Sequence, residues 1–186
     1  MRIISGKFKG KSIQFLKTKI TRPLKDSVKE NIFNILAHSS EIKVNISKAN
    51  ILDLYSGIGS FGLECISRGA EKVTFIDQDI NALNVLKKNI HQLTIIDQTT
   101  IINNKIENFL SLNVKTKYNI FFLDPPFADV KFIHNLKTIK ENRIMMNNHI
   151  VIIHREKGII DNFEGILKPL IIKEYARSKI VFGTFN

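Results

Sequence analysis

A carboxylate followed by two prolines and an aromatic ring, Asp124-Pro125-Pro126-Phe127, is the stretch of this 186-residue chain best suited to chemistry. It follows the apolar run from Tyr118 to Leu123, which predicts a buried parallel strand ending at the carboxylate. Ligands of open α/β sheets bind at that edge. Each proline fixes φ and removes an N–H donor, so the turn is rigid. Its acceptor and ring suit a flat base that carries an amine.

A second candidate site is the glycine-rich sequence Gly57-Ile58-Gly59-Ser60-Phe61-Gly62, which follows one predicted strand and opens a helix. In this G-x-G-x-x-G pattern the glycines allow a tight turn and a close approach of the ligand to the backbone. Asp77 ends the next predicted strand, 20 residues after Gly57, where a carboxylate can accept both hydroxyls of a ribose. One of its two neighbours, Ile76 or Gln78, is expected to flank the adenine.

Asp53 indicates which nucleoside cofactor the glycine turn would hold. A dinucleotide places a pyrophosphate on the helix N-terminus. An acid just before the turn repels a pyrophosphate and favours the ammonium and sulfonium cations of S-adenosylmethionine. We therefore expect S-adenosylmethionine, with Asp53 and the turn from Gly57 to Gly59 at its methionine end and Tyr55 as a further cofactor-binding residue. Together with the Asp-Pro-Pro-Phe turn, this makes methyl transfer the leading interpretation.

The positive charge of the chain is concentrated at its start. The net charge is +11, and residues 1–30 hold nine basic and two acidic side chains, a net +7. A general excess of lysine would spread this charge, so a localised basic segment indicates a polyanionic partner. We expect contacts to nucleic acid from a set of basic residues in this segment: Arg2, Lys7, Lys9, Lys11 and Arg22.

Composition argues against several other classes of protein. Apolar residues make up 44% of the chain and charged residues 24%, as in soluble globular proteins. The single cysteine, Cys65, excludes an internal disulfide framework, and the five histidines lack the spacing of metal ligands. The chain has no apolar run long enough for a membrane span and no signal peptide. We expect a cytoplasmic monomer without a metal and without membrane contact.

From residue 50 onward the sequence pattern predicts strands that alternate with helices, and these elements would position the candidate site residues. Five predicted strands are each followed by a helix or a turn, and two further strands, near 170–174 and 179–185, close the chain. The pattern predicts an α/β fold, a Rossmann-like and mostly parallel sheet with helices on both faces. Residues 2–15 predict a β-hairpin with Lys7, Lys9 and Lys11 on one face of a strand, and a helix follows from Asp26.

These motifs together resemble the RsmD family, bacterial 16S rRNA guanine-N2 methyltransferases of the seven-stranded class I fold that depends on S-adenosylmethionine. The matching stretches are Arg2 to Gly10, Thr21-Arg22-Pro23, Asp26 to Leu36, Asp53 to Gly59, Gly62 to Ala70 and Asp124 to Phe127. The resemblance implies methylation of the exocyclic N2 of guanine 966 during assembly of the small ribosomal subunit. The partner would be 16S rRNA or the small-subunit particle.

The resemblance also assigns parts of the chain and leaves alternatives open. It implies catalytic roles for the Asp124–Phe127 turn, an RNA-binding extension over residues 1–40 and a catalytic domain over residues 41–186. One departure is Lys105, which aligns where the family has an Asp or Asn beside the adenine; a lysine cannot accept a hydrogen bond, but Asn104 can. Alternatives are methylation of adenine or of a protein glutamine, a nucleotide-dependent oxidoreductase, and a non-catalytic RNA-binding factor.

Overall fold

A seven-stranded sheet lies at the centre of the computed structural model, which describes residues 1–15 and 24–186. The strands are β1 (Asn50–Leu54), β2 (Lys72–Asp77), β3 (Thr99–Asn103), β4 (Tyr118–Leu123), β5 (Met145–Glu156), β6 (Leu167–Glu174) and β7 (Ser178–Phe185). The helices are α1 (Asp26–His38), α2 (Ser60–Ser67), α3 (Ile80–Leu93), α4 (Ile106–Leu110) and α5 (Phe132–Glu141). The predicted alternation of strands and helices is confirmed.

The strand order is β3-β2-β1-β4-β5-β7-β6. Strands β1 to β5 pair in parallel, and β7 runs antiparallel to both of its neighbours. The order of connection reverses between β1 and β4, which creates a crevice at the carboxyl ends of these strands. Open α/β sheets bind their ligands in such a crevice. The expected mostly parallel Rossmann-like sheet is therefore present, with its switch point beside the predicted site.

Side chains that alternate along each strand divide the core into two layers. Ile120 and Phe122 of β4 pack in the layer that contains α1, α2 and α3. Phe121 and Leu123 pack in the layer that contains α4 and α5. Successive residues of a strand point to opposite faces of the sheet. Helices therefore cover both faces, and each residue just beyond a strand end can be assigned to one of the two layers.

The predicted N-terminal hairpin is present only in a reduced form. One antiparallel bridge joins Arg2 and Ser12, and the Ile3 amide donates to the Lys11 carbonyl oxygen at 3.0 Å. Residues 5–10 form turns between these paired positions. The segment therefore folds as a closed loop rather than as two regular strands.

The expectation that Lys7, Lys9 and Lys11 line one face of a strand is wrong, because residues 5–10 follow a series of turns. All three lysines are exposed. The Nζ atoms of Lys7 and Lys11 each lie 5.3 Å from the centre of the Phe8 ring, which is itself buried. The turns thus bring the charges of Lys7 and Lys11 close to one buried aromatic ring.

The N-terminal loop is attached to α2 by hydrogen bonds to two buried side chains. The Glu64 carboxylate accepts from the amides of Ile4 (2.8 Å) and Ser5 (2.9 Å). The Ser67 hydroxyl accepts from the amide of Phe8 at 3.0 Å. Because α2 begins directly after the glycine turn, these bonds connect the basic segment with the candidate cofactor site.

A buried lysine of α1 joins the same network. Lys29 Nζ donates to the carbonyl oxygen of Arg2 at 3.0 Å and lies 3.9 Å from Glu64. Burial lowers the pKa of Lys29, and the neighbouring Glu64 opposes that effect. The N-terminal loop, α1 and α2 also share one hydrophobic cluster. The functional division into residues 1–40 and 41–186 stays a prediction.

None of the helices described in residues 24–186 combines the length and the apolar character that crossing a membrane would require.

Candidate functional site

A cleft of about 830 Å³ opens at the carboxyl ends of β1 to β4. Its volume lies in the range of small-molecule and cofactor sites, roughly 300–1,000 Å³. The cleft brings together residues that are far apart in the sequence. The predicted site residues that line it are Asp53, Tyr55, Gly57, Asp77, Gln78, Asn104, Asp124, Pro125, Pro126 and Phe127.

The described residues that are predicted to bind RNA, Arg2, Lys7, Lys9 and Lys11, do not line the cleft. Lys7, Lys9 and Lys11 are on the outer surface of the N-terminal loop, whereas Met1 and Phe15 of the same segment line the cleft. Arg2 is exposed, and its backbone carbonyl oxygen accepts a hydrogen bond from Lys29 Nζ. Arg22 lies outside the described residues. The N-terminal loop therefore lines the cleft at its two ends, while the turn that carries the lysines docks on Ser67 at the far end of α2.

Asp53 is a buried carboxylate on the floor of the cleft. Its Oδ2 accepts from the Gly62 amide at 3.0 Å, while its Oδ1 has no partner among the described residues. Burial raises the pKa of Asp53 well above its usual value, and the negative charges of Asp124 and Asp77 raise it further. A buried oxygen without a donor is costly unless a ligand supplies one. An ammonium group would satisfy it, so this residue fits the methionine end of S-adenosylmethionine.

Asp77 holds the glycine turn with the carboxylate that is predicted to bind a ribose. Its Oδ2 accepts from the Gly57 amide at 2.7 Å, and its Oδ1 accepts from the Asp79 amide at 2.8 Å. A carboxylate has about four acceptor positions, so both oxygens retain capacity for a hydroxyl. Gly57 adopts a φ of +52°, and a Cβ there would meet no other atom within 4 Å, which leaves room for a ligand.

Gly59 does not line the cleft. Its φ is +79°, and a Cβ there would overlap Leu86 of α3. This glycine therefore allows the turn to pack closely against α3, which is a different contribution from the ligand contact that the motif predicts.

Asn104 and Lys105 both line the cleft at the end of β3. The carboxamide oxygen of Asn104 already accepts from the Lys105 amide at 2.9 Å and from Asn108 Nδ2 at 3.1 Å. Two donors occupy the two lone pairs of that oxygen. An adenine amino group would have to displace one of them, so adenine recognition by Asn104 stays a prediction. Gln78 is exposed at the neighbouring rim.

Tyr55 is held in place between β1 and α5. Its hydroxyl accepts from Asn135 Nδ2 at 3.1 Å, and its backbone has a φ of +59°, which is uncommon for a residue with a side chain. Burial raises the pKa of the Tyr55 hydroxyl, and the nearby Asp129 adds to the effect. The ring therefore lines the cleft as a neutral group.

The catalytic candidate Asp124 makes a hydrogen bond that sequence reasoning missed. Its Oδ1 lies 2.8 Å from Nδ1 of His154, which also lines the cleft. The His154 ring meets the Phe127 ring edge to face, with ring centres 5.9 Å apart. In the sequence, His154 does not stand out from the other four histidines, because none of the five has the spacing of metal ligands. Its position at the carboxyl end of the strand that neighbours β4 is the signal that could have identified it.

Arg155 is a second missed residue, and its side chain is only 1% exposed. It donates to the carbonyl oxygens of Pro126 at 3.3 Å and Phe127 at 3.2 Å. Its Nε donates to Asp161 at 3.3 Å. A buried cation thus contacts the backbone of the Asp124–Phe127 turn.

Within residues 1–15 and 24–186, no three side chains of His, Cys, Asp or Glu are grouped as metal ligands would be.

Comparisons with known proteins match nearly the whole chain. A family model described as conserved hypothetical protein 95 matches residues 1–183. The "Ribosomal RNA small subunit methyltransferase D" of Haemophilus influenzae is 33% identical over 176 residues, which cover 94% of this chain and 83% of that relative. The protein of the same name from Buchnera aphidicola subsp. Baizongia pistaciae is 33% identical over 185 residues, covering 100% and 91%.

A solved structure gives the same result for the fold. "Putative methyltransferase yhhF" from Escherichia coli aligns with a TM-score of 0.85 at 25% identity, covering 100% of this chain and 97% of that one. The alignment includes the N-terminal loop and α1 as well as the sheet. These segments therefore belong to the shared fold.

Proposed function

Because this chain belongs to the RsmD family, we propose that it transfers a methyl group from S-adenosylmethionine to the exocyclic N2 of a guanine in 16S rRNA. The observation that carries the proposal is the position of Asp124. Its carboxylate lies in the same cleft as Asp53 and Asp77, and it is oriented by His154. A cation site, a ribose site and an amine acceptor thus share one cavity.

The residues of the cleft fit this cofactor at both ends. Asp53 has a buried oxygen without a partner in the described part of the chain, which an ammonium group could fill, and both oxygens of Asp77 retain acceptor capacity for the ribose hydroxyls. Bound S-adenosylmethionine would supply an electrophilic methyl group, and its sulfur would keep the electron pair of the broken S–C bond as S-adenosylhomocysteine leaves. The acids of the cleft suit this cation, whereas they would repel the pyrophosphate of a dinucleotide.

The catalytic turn has to compensate for the weak nucleophilicity of a guanine amine, whose lone pair is delocalised into the ring. Asp124 accepts a hydrogen bond from the amine and thereby favours a more tetrahedral nitrogen. The same carboxylate stabilises the positive charge that develops on the nitrogen as its lone pair forms the new N–C bond. Phe127 provides a face on which the base can stack. After the bond has formed, the nitrogen loses one proton, for which Asp124 is the nearest acceptor.

Alignment alone can account for much of the rate. Reactants that are held about 3–3.5 Å apart in the correct orientation have already lost their translational freedom on binding. The chemical step no longer bears this entropy cost, which can account for a large part of the reduction of the barrier. The two prolines stiffen the turn that carries Asp124 and Phe127. The acceptor and the ring therefore keep a defined separation while the base enters.

The choice of rRNA rests on the N-terminal segment and on the relatives. Lys7, Lys9 and Lys11 are exposed in the turn that docks on Ser67 at the C-terminal end of α2, and the two ends of the same loop, at Met1 and Phe15, line the cleft. A substrate with a phosphate backbone could contact this basic surface while one base enters the cleft. The relatives from Haemophilus influenzae and Buchnera aphidicola carry the name of a small-subunit rRNA methyltransferase. The shape of the Asp-Pro-Pro-Phe turn by itself suits guanine, adenine or a glutamine amide.

The decisive experiment is transfer of a radiolabelled methyl group to naked 16S rRNA, to small-subunit particles and to DNA, followed by nucleoside analysis. N2-methylguanosine in rRNA is the expected product. N6-methyladenosine would favour the rival assignment, and the absence of transfer to all three substrates would refute the proposal. A thermal shift by S-adenosylhomocysteine but not by NADH separates the methyltransferase from the oxidoreductase alternative.

Two variants test the assignment of the acids. Asp124→Ala should lower kcat by at least about 100-fold, the scale of a lost transition-state acceptor, while calorimetry shows unchanged affinity for S-adenosylhomocysteine. Asp77→Ala should instead weaken that affinity with little change in RNA binding. Asp97→Ala removes a carboxylate that does not line the cleft and serves as the charge control. Full activity of the Asp124 variant would contradict the assignment.

A further inference from the structure

Two adjacent polar residues, His154 and Arg155, lie near the carboxyl end of β5, the strand that pairs with β4. The register places Leu123 beside Ile153, so Asp124 and His154 follow at the same level of the sheet. Because side chains alternate along a strand, His154 and Arg155 point to opposite faces. The catalytic turn therefore meets one polar side chain of β5 on each face of the sheet.

On the first face, His154 restrains the Asp124 carboxylate. Nδ1 and Oδ1 are 2.8 Å apart, which is the distance of a charge-assisted hydrogen bond. The His154 side chain is 15% exposed and that of Asp124 is 24% exposed, so water only partly competes for this contact. The bond uses one acceptor position of Oδ1, and within residues 1–15 and 24–186 no side chain or amide donates to Oδ2, which can accept from a substrate amine.

On the opposite face, Arg155 restrains the backbone of the turn. Its guanidinium bonds the carbonyl oxygens of Pro126 and Phe127 and lies 4.3 Å from the centre of the Phe132 ring. Asp161 fixes the guanidinium from the other side. The planar fork of arginine can span two neighbouring acceptors, which the single ammonium of lysine cannot do in the same way.

Charge partners make this burial tolerable. An isolated buried cation would be strongly destabilising, so such groups are retained only with partners and full hydrogen bonding. Asp161 provides the opposite charge, and Lys179 approaches the other oxygen of Asp161 at 3.4 Å while also donating to the Ile159 carbonyl oxygen. The loop after β5 and strand β7 therefore form a rigid support for Arg155.

The prolines explain why the turn needs outside donors. Pro125 and Pro126 have no N–H groups, so the turn cannot hold itself through hydrogen bonds from these positions. One internal bond, from the Asp129 amide to the Pro126 carbonyl oxygen at 2.8 Å, closes it. The remaining orientation comes from His154 and Arg155.

We propose that His154 and Arg155 are positioning residues that together fix the Asp124–Phe127 turn in its reactive geometry, His154 through the carboxylate and Arg155 through the two carbonyl groups. Their kinetic role rests on the proposed function. Neither residue is required to touch the substrate. Each sets the place of a group that does, and a shift of about 1 Å in such a group can lower the rate about 100-fold.

The kinetic test compares two substitutions of the histidine. His154→Ala should lower kcat by about 10- to 100-fold with the KM values for RNA and S-adenosylmethionine changed less than about twofold. His154→Asn should restore most of kcat, since its amide nitrogen can occupy roughly the position of Nδ1 and donate to Asp124. Lys137→Ala is the control, because this exposed residue of α5 pairs with Glu141 and does not line the cleft. An unchanged kcat in His154→Ala, or an Asn variant as slow as the Ala variant, would overturn the role of His154.

A second measurement does not depend on methyl transfer. The chain has no tryptophan, so Phe127→Trp provides a single fluorescent reporter on the turn. Adding Arg155→Lys keeps the charge but loses the fork, and acrylamide quenching of the reporter should increase by about twofold as the turn loosens. Adding Lys137→Ala instead should leave quenching unchanged, because this exposed lysine of α5 does not line the surface pocket that contains Phe127 and Lys157. Equal quenching in the Arg155→Lys and control backgrounds would overturn the role of Arg155.

The two measurements separate this inference from the proposed function. If the wild-type protein methylates none of the RNA substrates but Arg155→Lys loosens the reporter, the support of the turn by Arg155 stands and the assigned activity fails. If the wild-type protein is active and neither substitution changes kcat or quenching, the activity stands and the positioning role is wrong.

Discussion

Gly6→Ala should detach the N-terminal loop from α2. Gly6 has a φ of +82°, and a Cβ at this position would overlap the backbone carbonyl of Ser67. Backbone cannot move aside as a flexible side chain can, so the loop must shift. Gly10 offers a matched comparison, since its φ is +83° and a Cβ there would meet nothing within 4 Å. Both variants carry the same backbone strain, but only one carries the collision.

The difference between the two variants can be worked out from the contacts. The left-handed backbone costs an alanine about 1–2 kcal/mol, which is the full expected loss for Gly10→Ala. Gly6→Ala in addition disturbs the bonds from the Lys7 amide to the Ser67 carbonyl oxygen (2.7 Å) and from the Phe8 amide to the Ser67 hydroxyl (3.0 Å). At roughly 1 kcal/mol for each bond, the total loss is about 3–4 kcal/mol.

Thermal and urea unfolding should resolve this difference. For a chain of this size, a loss of 1 kcal/mol lowers Tm by about 2–4 °C, so Gly6→Ala should fall by roughly 6–16 °C and Gly10→Ala by roughly 2–8 °C. RNA affinity should fall in Gly6→Ala, because the displaced loop carries the basic surface, while S-adenosylhomocysteine still binds. If the two variants lose equal stability, the loop is not docked on α2 as described.

Two other predictions concern charge. Replacing Lys7, Lys9 and Lys11 by Ala should reduce the steepness of log RNA affinity against log salt concentration by about 2 units if each lysine contacts a phosphate. Lys117→Ala, just before the start of β4 and away from the cleft, is the control and should leave the slope unchanged. An unaltered slope in the triple variant would remove the N-terminal loop from the RNA interface. Because burial raises the pKa of Asp53, the native state binds its proton more tightly than the unfolded state does, and the free energy of unfolding should fall as pH rises above about 4. Asp53→Asn should remove this fall in urea titrations and weaken S-adenosylhomocysteine binding about tenfold or more; an equally steep pH dependence in the variant would show that another group is responsible.

Local sequence patterns predicted the parts of the fold that depend on local chemistry. The order of strands and helices from residue 50 onward follows hydrophobic periodicity, which each segment carries by itself. The glycine turn and the Asp124–Phe127 turn could be placed at strand ends for the same reason. Once the parallel sheet was assumed, their meeting in one cleft followed from the rule that strand ends lie at a common edge.

The N-terminal loop departed from its pattern because tertiary contacts decide its path. Alternation of apolar and polar residues in residues 2–15 indicated strands. In the structure, Glu64 and Ser67 of α2 accept hydrogen bonds from amides of the loop, bonds that a regular hairpin would make between its own strands. These partners are some 60 residues away in the sequence. No pattern within the loop could reveal them.

The orientation of the Asp124–Phe127 turn likewise depends on residues that are distant in the sequence. Its two prolines indicate a stiff turn, and this stiffness can be inferred from the four residues alone, but they do not determine how the turn is oriented. The orientation comes from His154 and Arg155, which are about 30 residues further along and contact the turn only because β5 lies beside β4 in a particular register. A shift of one residue in that register would exchange the faces of His154 and Arg155 and leave both Asp124 and the turn carbonyl groups without their donors. The chemistry of the turn is therefore local, while its geometry is a property of the sheet.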